Sequence, residues 1–129
     1  ERQTIGIDMK ALLSTLWIFI LLNVIFRDLH EFARPGFIEE MMTGVVNGVQ
    51  ITEELMLIGG IMAEIPISMV LLSRVLNYTI NRWANIFAAT LAIALIINNG
   101  GRDLDDIFFA AIEVVSLLAI IWCAWKWKK

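Results

Sequence analysis

Four apolar runs, each close to the thickness of a bilayer's hydrocarbon, leave few folds open to this sequence. They fall at about 10–32, 52–76, 82–99 and 105–126, parted by short charged or polar stretches. A helix rises ~1.5 Å per residue, so ~20 residues cross the hydrocarbon. No water bonds the backbone there, and each run therefore closes its own hydrogen bonds as an α-helix. Of the 129 residues, 59% are hydrophobic, more than a water-soluble fold of this size usually hides. The expected fold is all-α, one domain over 1–129 forming a four-transmembrane-helix bundle. The third run is the weakest, with an uncharged core only from Trp83 to Ile97; a thin local bilayer or a tilted neighbour accommodates it.

Charge sets the expected orientation, because Lys and Arg collect on the cytoplasmic side. Arg2, Lys10, Arg74, Arg82, Lys126, Lys128 and Lys129 fall on one side of a four-pass topology. Only Arg27, Arg34 and Arg102 fall on the other, among many acids that include Glu39, Glu40, Glu53, Glu54 and Asp103. Both termini are expected in the cytoplasm, with residues 35–51 and 100–104 outside, in the cytoplasmic (inner) membrane of a cell. Tyr78, Trp83, Trp122, Trp125 and Trp127 match an inner aromatic belt. The first run is longer than a signal-peptide core and lacks a small-residue cleavage site before Pro35. Cys123 is the single cysteine, which excludes a disulfide within the chain. The acidic outer surface argues against a nucleic-acid partner.

The link between the first two runs is too long for a tight turn. Pro35-Gly36 ends the first helix. Phe37, Ile38, Met41, Met42, Val45 and Val46 then recur at near-helical spacing opposite Glu39 and Glu40, which predicts a short amphipathic extracytoplasmic helix, a strap or a lid. Asn47-Gly48 signals a turn. Thr52 is a good N-cap for the second run, with Glu53 and Glu54 near its positive end.

The stretch "ITEELMLIGGIMAEIPISMVLLSRVLNYTINRWANI" resembles a family of small, uncharacterised prokaryotic four-helix integral membrane proteins. "LWIFILLNVIFRDLHEF" and "IFFAAIEVVSLLAIIWCAWKW" fit the same family, and "EIP" and "NRWANI" are its more specific parts. The resemblance covers most of the chain. It implies four transmembrane helices, with Asp28, Glu64 and Glu113 at the family's acidic positions, but no known activity. In size and helix count the chain is loosely DoxX-like.

Polar groups inside the spans are the candidates for function. Glu64 lies midway along the second run, ~15 Å from either edge, and Glu113 ~10 Å below the outer edge. Asn23, Arg27, His30 and Arg34 share one stripe of the first helix, while Asp28 points elsewhere. Gly60, Glu64 and Ser68 form a stripe beside Gly59 and Ala63, and Ala84, Ala88 and Ala92 form a small ridge; both faces permit close helix approach. Glu64 is thus expected to face the bundle interior or a subunit interface. Pro66 removes the helical partner of the Met62 carbonyl, a kink that places a free acceptor beside Glu64. If the stripes face each other, Glu64 and Glu113 come within hydrogen-bond reach and share a proton unless a cation or Arg27 compensates. The candidate ion- or ligand-binding set is Glu64, Glu113, Asp28, Asn23 and Arg27. His30 and Glu31 are weak metal candidates, and the methionines of the second run read as packing residues.

No phosphate loop, nucleophile elbow or Glu-x-x-His pair is present, so no catalytic residue is assigned, and no cofactor is singled out. The leading reading is a proton- or cation-linked transporter or channel with an intramembrane carboxylate site, working as a homo-oligomer in the lipid bilayer on a small ion or small molecule. One alternative is an accessory or assembly subunit, with a sealed polar cluster. Another is an intramembrane lipid- or quinone-binding enzyme, with an apolar pocket open to lipid.

Overall fold

The computed structural model describes residues 8–99 and 104–128. Arg2, Arg102, Asp103 and Lys129 of the charge count, and residues 100–103 of the second outer link, lie outside them. The described elements are α1 (Met9–Glu31), α2 (Phe37–Thr43), β1 (Val45–Val46), β2 (Val49–Gln50), α3 (Glu53–Val75), α4 (Tyr78–Asn99) and α5 (Leu104–Lys126). Four of these helices are long and apolar enough to cross a membrane, the mark of a multi-pass membrane protein. Apolar side chains on all four, such as Phe26, Leu71, Phe87 and Val115, are uncovered by the rest of the chain, as lipid contact requires.

The long helices form a four-membered ring in which α1 lies beside α3 and α5, and α4 beside α5 and, less closely, α3. The core sits toward the end where α1 begins, here called the basic end for Lys10, Arg74, Arg82 and Lys126. Leu13, Trp17 and Ile20 recur at i, i+4 and i+7 and bury one face of α1; Leu117, Ile120 and Ala124, at i, i+3 and i+7, bury one face of α5. Met69 of α3 and Ala88 and Ala89 of α4 complete it. Toward the other end the ring opens. No residue of α1 beyond Ile20, and none of α3 before Met69, is buried.

Two boundaries differ from expectation. α4 starts at Tyr78 rather than at 82, because the Asn77 carboxamide accepts from the backbone N–H of Ile80 at 3.1 Å and caps the helix. The polar first turn hid this start from an apolar pattern. The outer link is also more than an amphipathic helix. α2 stops at Thr43, where Gly44 adopts φ +81° and ends the helix. Val45 and Val46 are therefore strand, paired antiparallel with Gln50 and Val49. Asn47 (φ 53°) and Gly48 (φ 79°) are both left-handed, which is what a two-residue hairpin turn of this hand demands. Thr52 caps α3 by accepting from Leu55 N–H at 3.1 Å. This helix–hairpin unit is the strap, and its end of the bundle the strap end.

Candidate membrane-embedded charge site

The buried stripe of α5 runs Glu113, Ser116, Leu117, Ile120, Ala124. Glu113 is its strap-end member, at the level where the packed core gives way to the open half. Its side chain is 0% exposed, and Oε1 lies 3.4 Å from Arg27 Nη2. Neither carboxylate oxygen accepts a hydrogen bond. Arg27 gets there because the Asn23–Arg27–His30 stripe of α1 faces α5; Arg34, expected on the same stripe, lies beyond the helix end at Glu31. A carboxylate buried without hydrogen bonds from the chain is costly in a low dielectric, and one nearby guanidinium offsets only part of that cost. The other charges acting on Glu113 are Asp28 and Asp106.

The same stripe continues toward the strap as a column of opposite charges. His30 Nδ1 stands 3.4 Å from Asp105 Oδ2, and its ring meets the edge of Phe109 at 5.3 Å. Arg34 Nε donates to Glu31 Oε1 at 3.0 Å, and Arg34 Nη2 lies 3.8 Å from Glu40 Oε1. Glu40 Oε2 accepts from the backbone N–H of Asn47 at 2.7 Å, so one acid of α2 ties the hairpin to the end of α1. The helical part of the column, from Arg27 to His30, rises ~4.5 Å, and Arg34 follows beyond the end of α1. Beside its upper part a cavity of about 340 Å³ is lined by His30, Glu31, Arg34, Pro35 and Asp105.

Of the residues singled out from sequence, Arg27 and Glu113 meet, with Asp28 near enough to act on Glu113 by charge. Glu64 does not join them: it is uncovered by the rest of the chain, and Glu113 takes no hydrogen bond from it. The reason is rotation, since α3 turns Ile65, Met69 and Leu72 toward the core and leaves the Glu64 face outward. Asn23 donates to its own helix at Phe19 O, 2.9 Å, and lines a separate groove with Phe19, Leu22, Phe26 and Phe109. Pro66 sits inside α3, which continues through it. His30 and Glu31 part, one pairing with Asp105 and the other with Arg34. Among the described residues no group of three metal-ligating side chains forms.

A second polar cluster escaped the sequence reading. Asn85 Oδ1 accepts from Trp17 Nε1 at 2.7 Å and from Ser73 Oγ at 3.3 Å. Asn85 Nδ2 donates to Asn81 Oδ1 at 2.6 Å, and Asn81 Nδ2 to Ser73 O at 2.7 Å. All four residues are 0% exposed. The network knots α1, α3 and α4 at the basic end and closes the bundle below Glu113. Its trace in the sequence is "NRWANI", which sets Asn81 and Asn85 one turn apart in an apolar helix. Between them Arg82 donates to the last carbonyls of α5, at Ala124 (2.9 Å) and Trp125 (3.0 Å).

A family model described as a family of unknown function, DUF6326, matches residues 6–129. No curated protein and no solved structure matches the chain.

Proposed function

We propose, for a chain that belongs to DUF6326, a family of unknown function, that it takes up a proton at Glu113 from the strap side and links that event to movement of a proton or small cation across the membrane. One observation carries the reading: a fully buried carboxylate whose two oxygens take no hydrogen bond and whose near partner is a single guanidinium. Such a pair has two states. Ionised, Glu113 holds Arg27; protonated, it needs no counter-charge and releases Arg27 toward the column of acids above. Orientation follows the charge bias, with both termini in the cytoplasm of a cell bounded by this inner membrane and the strap outside.

The working unit in this reading is a homo-oligomer assembled on the strap-end half of α3. From Glu53 to Glu64 every residue of that helix is exposed. A carboxylate at mid-membrane depth is not left to lipid, and Gly59 and Gly60 have no neighbour where a Cβ would stand, which leaves room for another helix. The Ala84–Ala88–Ala92 ridge, by contrast, packs into the chain's own core. The test is flux: protein in liposomes loaded with a pH-sensitive dye, with an imposed proton gradient. Wild type should discharge the gradient, Glu113→Gln should not, and Glu39→Gln should behave as wild type. Equal discharge by Glu113→Gln overturns the reading.

The sealed Trp17–Asn85–Asn81–Ser73 network favours a second reading, an accessory subunit whose polar groups hold helices together. It predicts no wild-type flux and a loss of stability alone on changing Glu113.

A further inference from the structure

We infer that the groove between α1 and α3 at the basic end binds one anionic phospholipid, with its phosphate at Arg74 and an acyl chain running toward the membrane centre. This site is apart from the Glu113 column and does not depend on any transport role. The groove is about 500 Å³, and its lining is graded along the membrane normal. Ile18 and Ile67 form the deep part, Thr15, Val70 and Leu71 the middle wall, and Arg74 the rim. From Ile67 to Arg74 the helix rises ~10 Å, about the distance from upper chain to headgroup in a leaflet.

The charge at the rim is uncommitted. Arg82 is engaged with the α5 carbonyls and stacks between the Trp83 and Trp125 rings. Lys126 lies over Trp122. Arg74 is exposed and has no hydrogen bond, ion pair or ring contact among the described residues. Asp8 is the one acid among the described residues at this end, and it pairs with none of these cations. A phosphodiester supplies the missing anion and takes bidentate bonds from a guanidinium. Below it the Thr15 hydroxyl, which has no partner among the described residues, stands at the level of an ester carbonyl. Ser14 is already bonded to Val70 O at 2.7 Å, which fixes the two walls. An apolar floor, a hydroxyl and then an unpaired cation, in that order of depth, match a phospholipid and no soluble anion, which would leave the floor empty.

The experiment is native mass spectrometry of the full chain released from nanodiscs of equimolar phosphatidylglycerol and phosphatidylcholine. Wild type should retain phosphatidylglycerol over phosphatidylcholine by about fivefold, as one well-placed basic group near a membrane surface gives. Arg74→Gln should bring the ratio close to one, while Lys128→Gln, a cation at the same end but outside the groove, should leave it unchanged. Ile67→Trp fills the groove with Arg74 intact and should also release the lipid. A helical circular-dichroism spectrum and unchanged melting verify each fold. Equal retention of both lipids by wild type overturns the site. So does a preference that survives Arg74→Gln or Ile67→Trp, or one that Lys128→Gln removes. A change in oligomeric mass with Ile67→Trp at unchanged lipid makes the groove a protein contact and overturns it as well.

Discussion

Removing Arg27 and removing Glu113 are unequal perturbations. Arg27→Gln leaves a fully buried carboxylate without its counter-charge, and breaking such a pair from one side costs ~3–5 kcal/mol. Glu113→Gln leaves a cation on the partly exposed member, which reaches the acids above it and costs less. Melting in detergent should therefore rank Arg27→Gln below Glu113→Gln, with the double variant recovering most of the loss; additive losses would mean that the two side chains do not interact. At the buried network, Asn85→Ala strands the Trp17 indole N–H and the Ser73 hydroxyl together. It should cost ~1–3 kcal/mol, read as a lower melting temperature, and an unchanged melt would place water there instead. The Arg27 stripe is legible in the sequence because i, i+4 and i+7 spacing is local. That Arg27 meets Glu113, and that Glu64 does not, depends on how α3 and α5 rotate about their axes, which packing of distant residues decides. Trp17 and Asn85 are likewise 68 residues apart, so the network could not be read from "NRWANI" alone.

At the scale of elements, α3 divides at Glu64. Its basic-end half packs through Ile65, Met69 and Leu72, whereas every residue of its strap-end half is exposed. If that half meets a second copy, close approach at the glycines matters most. Gly59→Leu should then shift the protein toward monomer by mass measurement in nanodiscs, at unchanged helix content. Ala84→Leu should act differently, lowering stability by ~1–3 kcal/mol through overpacking of the chain's own core. Monomer in wild type removes the interface. The strap shows where periodicity misleads. Val45 and Val46 continue the apolar spacing of α2, yet two consecutive left-handed residues at Asn47 and Gly48 impose a hairpin, and Gly44 ends the helix first. The long spans were legible for the opposite reason, since in hydrocarbon the backbone has no alternative to a helix.

For the whole molecule, the charge bias predicts which end faces the cytoplasm. Asn47→Cys in a Cys123→Ser background should react with a membrane-impermeant thiol reagent from outside intact cells, and Lys128→Cys only after lysis. The reverse pattern would invert the topology and place the Glu113 column on the cytoplasmic side. The tight base and open upper half also have a mechanical consequence. Trp17, held by the Asn85 carboxamide and by the core, is a fulcrum for α1. Arg27 is ten residues farther along the same rod, a lever arm of ~15 Å. A pivot of ~10° about that fulcrum sweeps the guanidinium through ~2.6 Å on such an arm, enough to part it from a carboxylate it touches at 3.4 Å. It carries His30 and Glu31 farther still, so a small angular change at the indole becomes a shift of every charge on the rod, largest where the rod meets the strap.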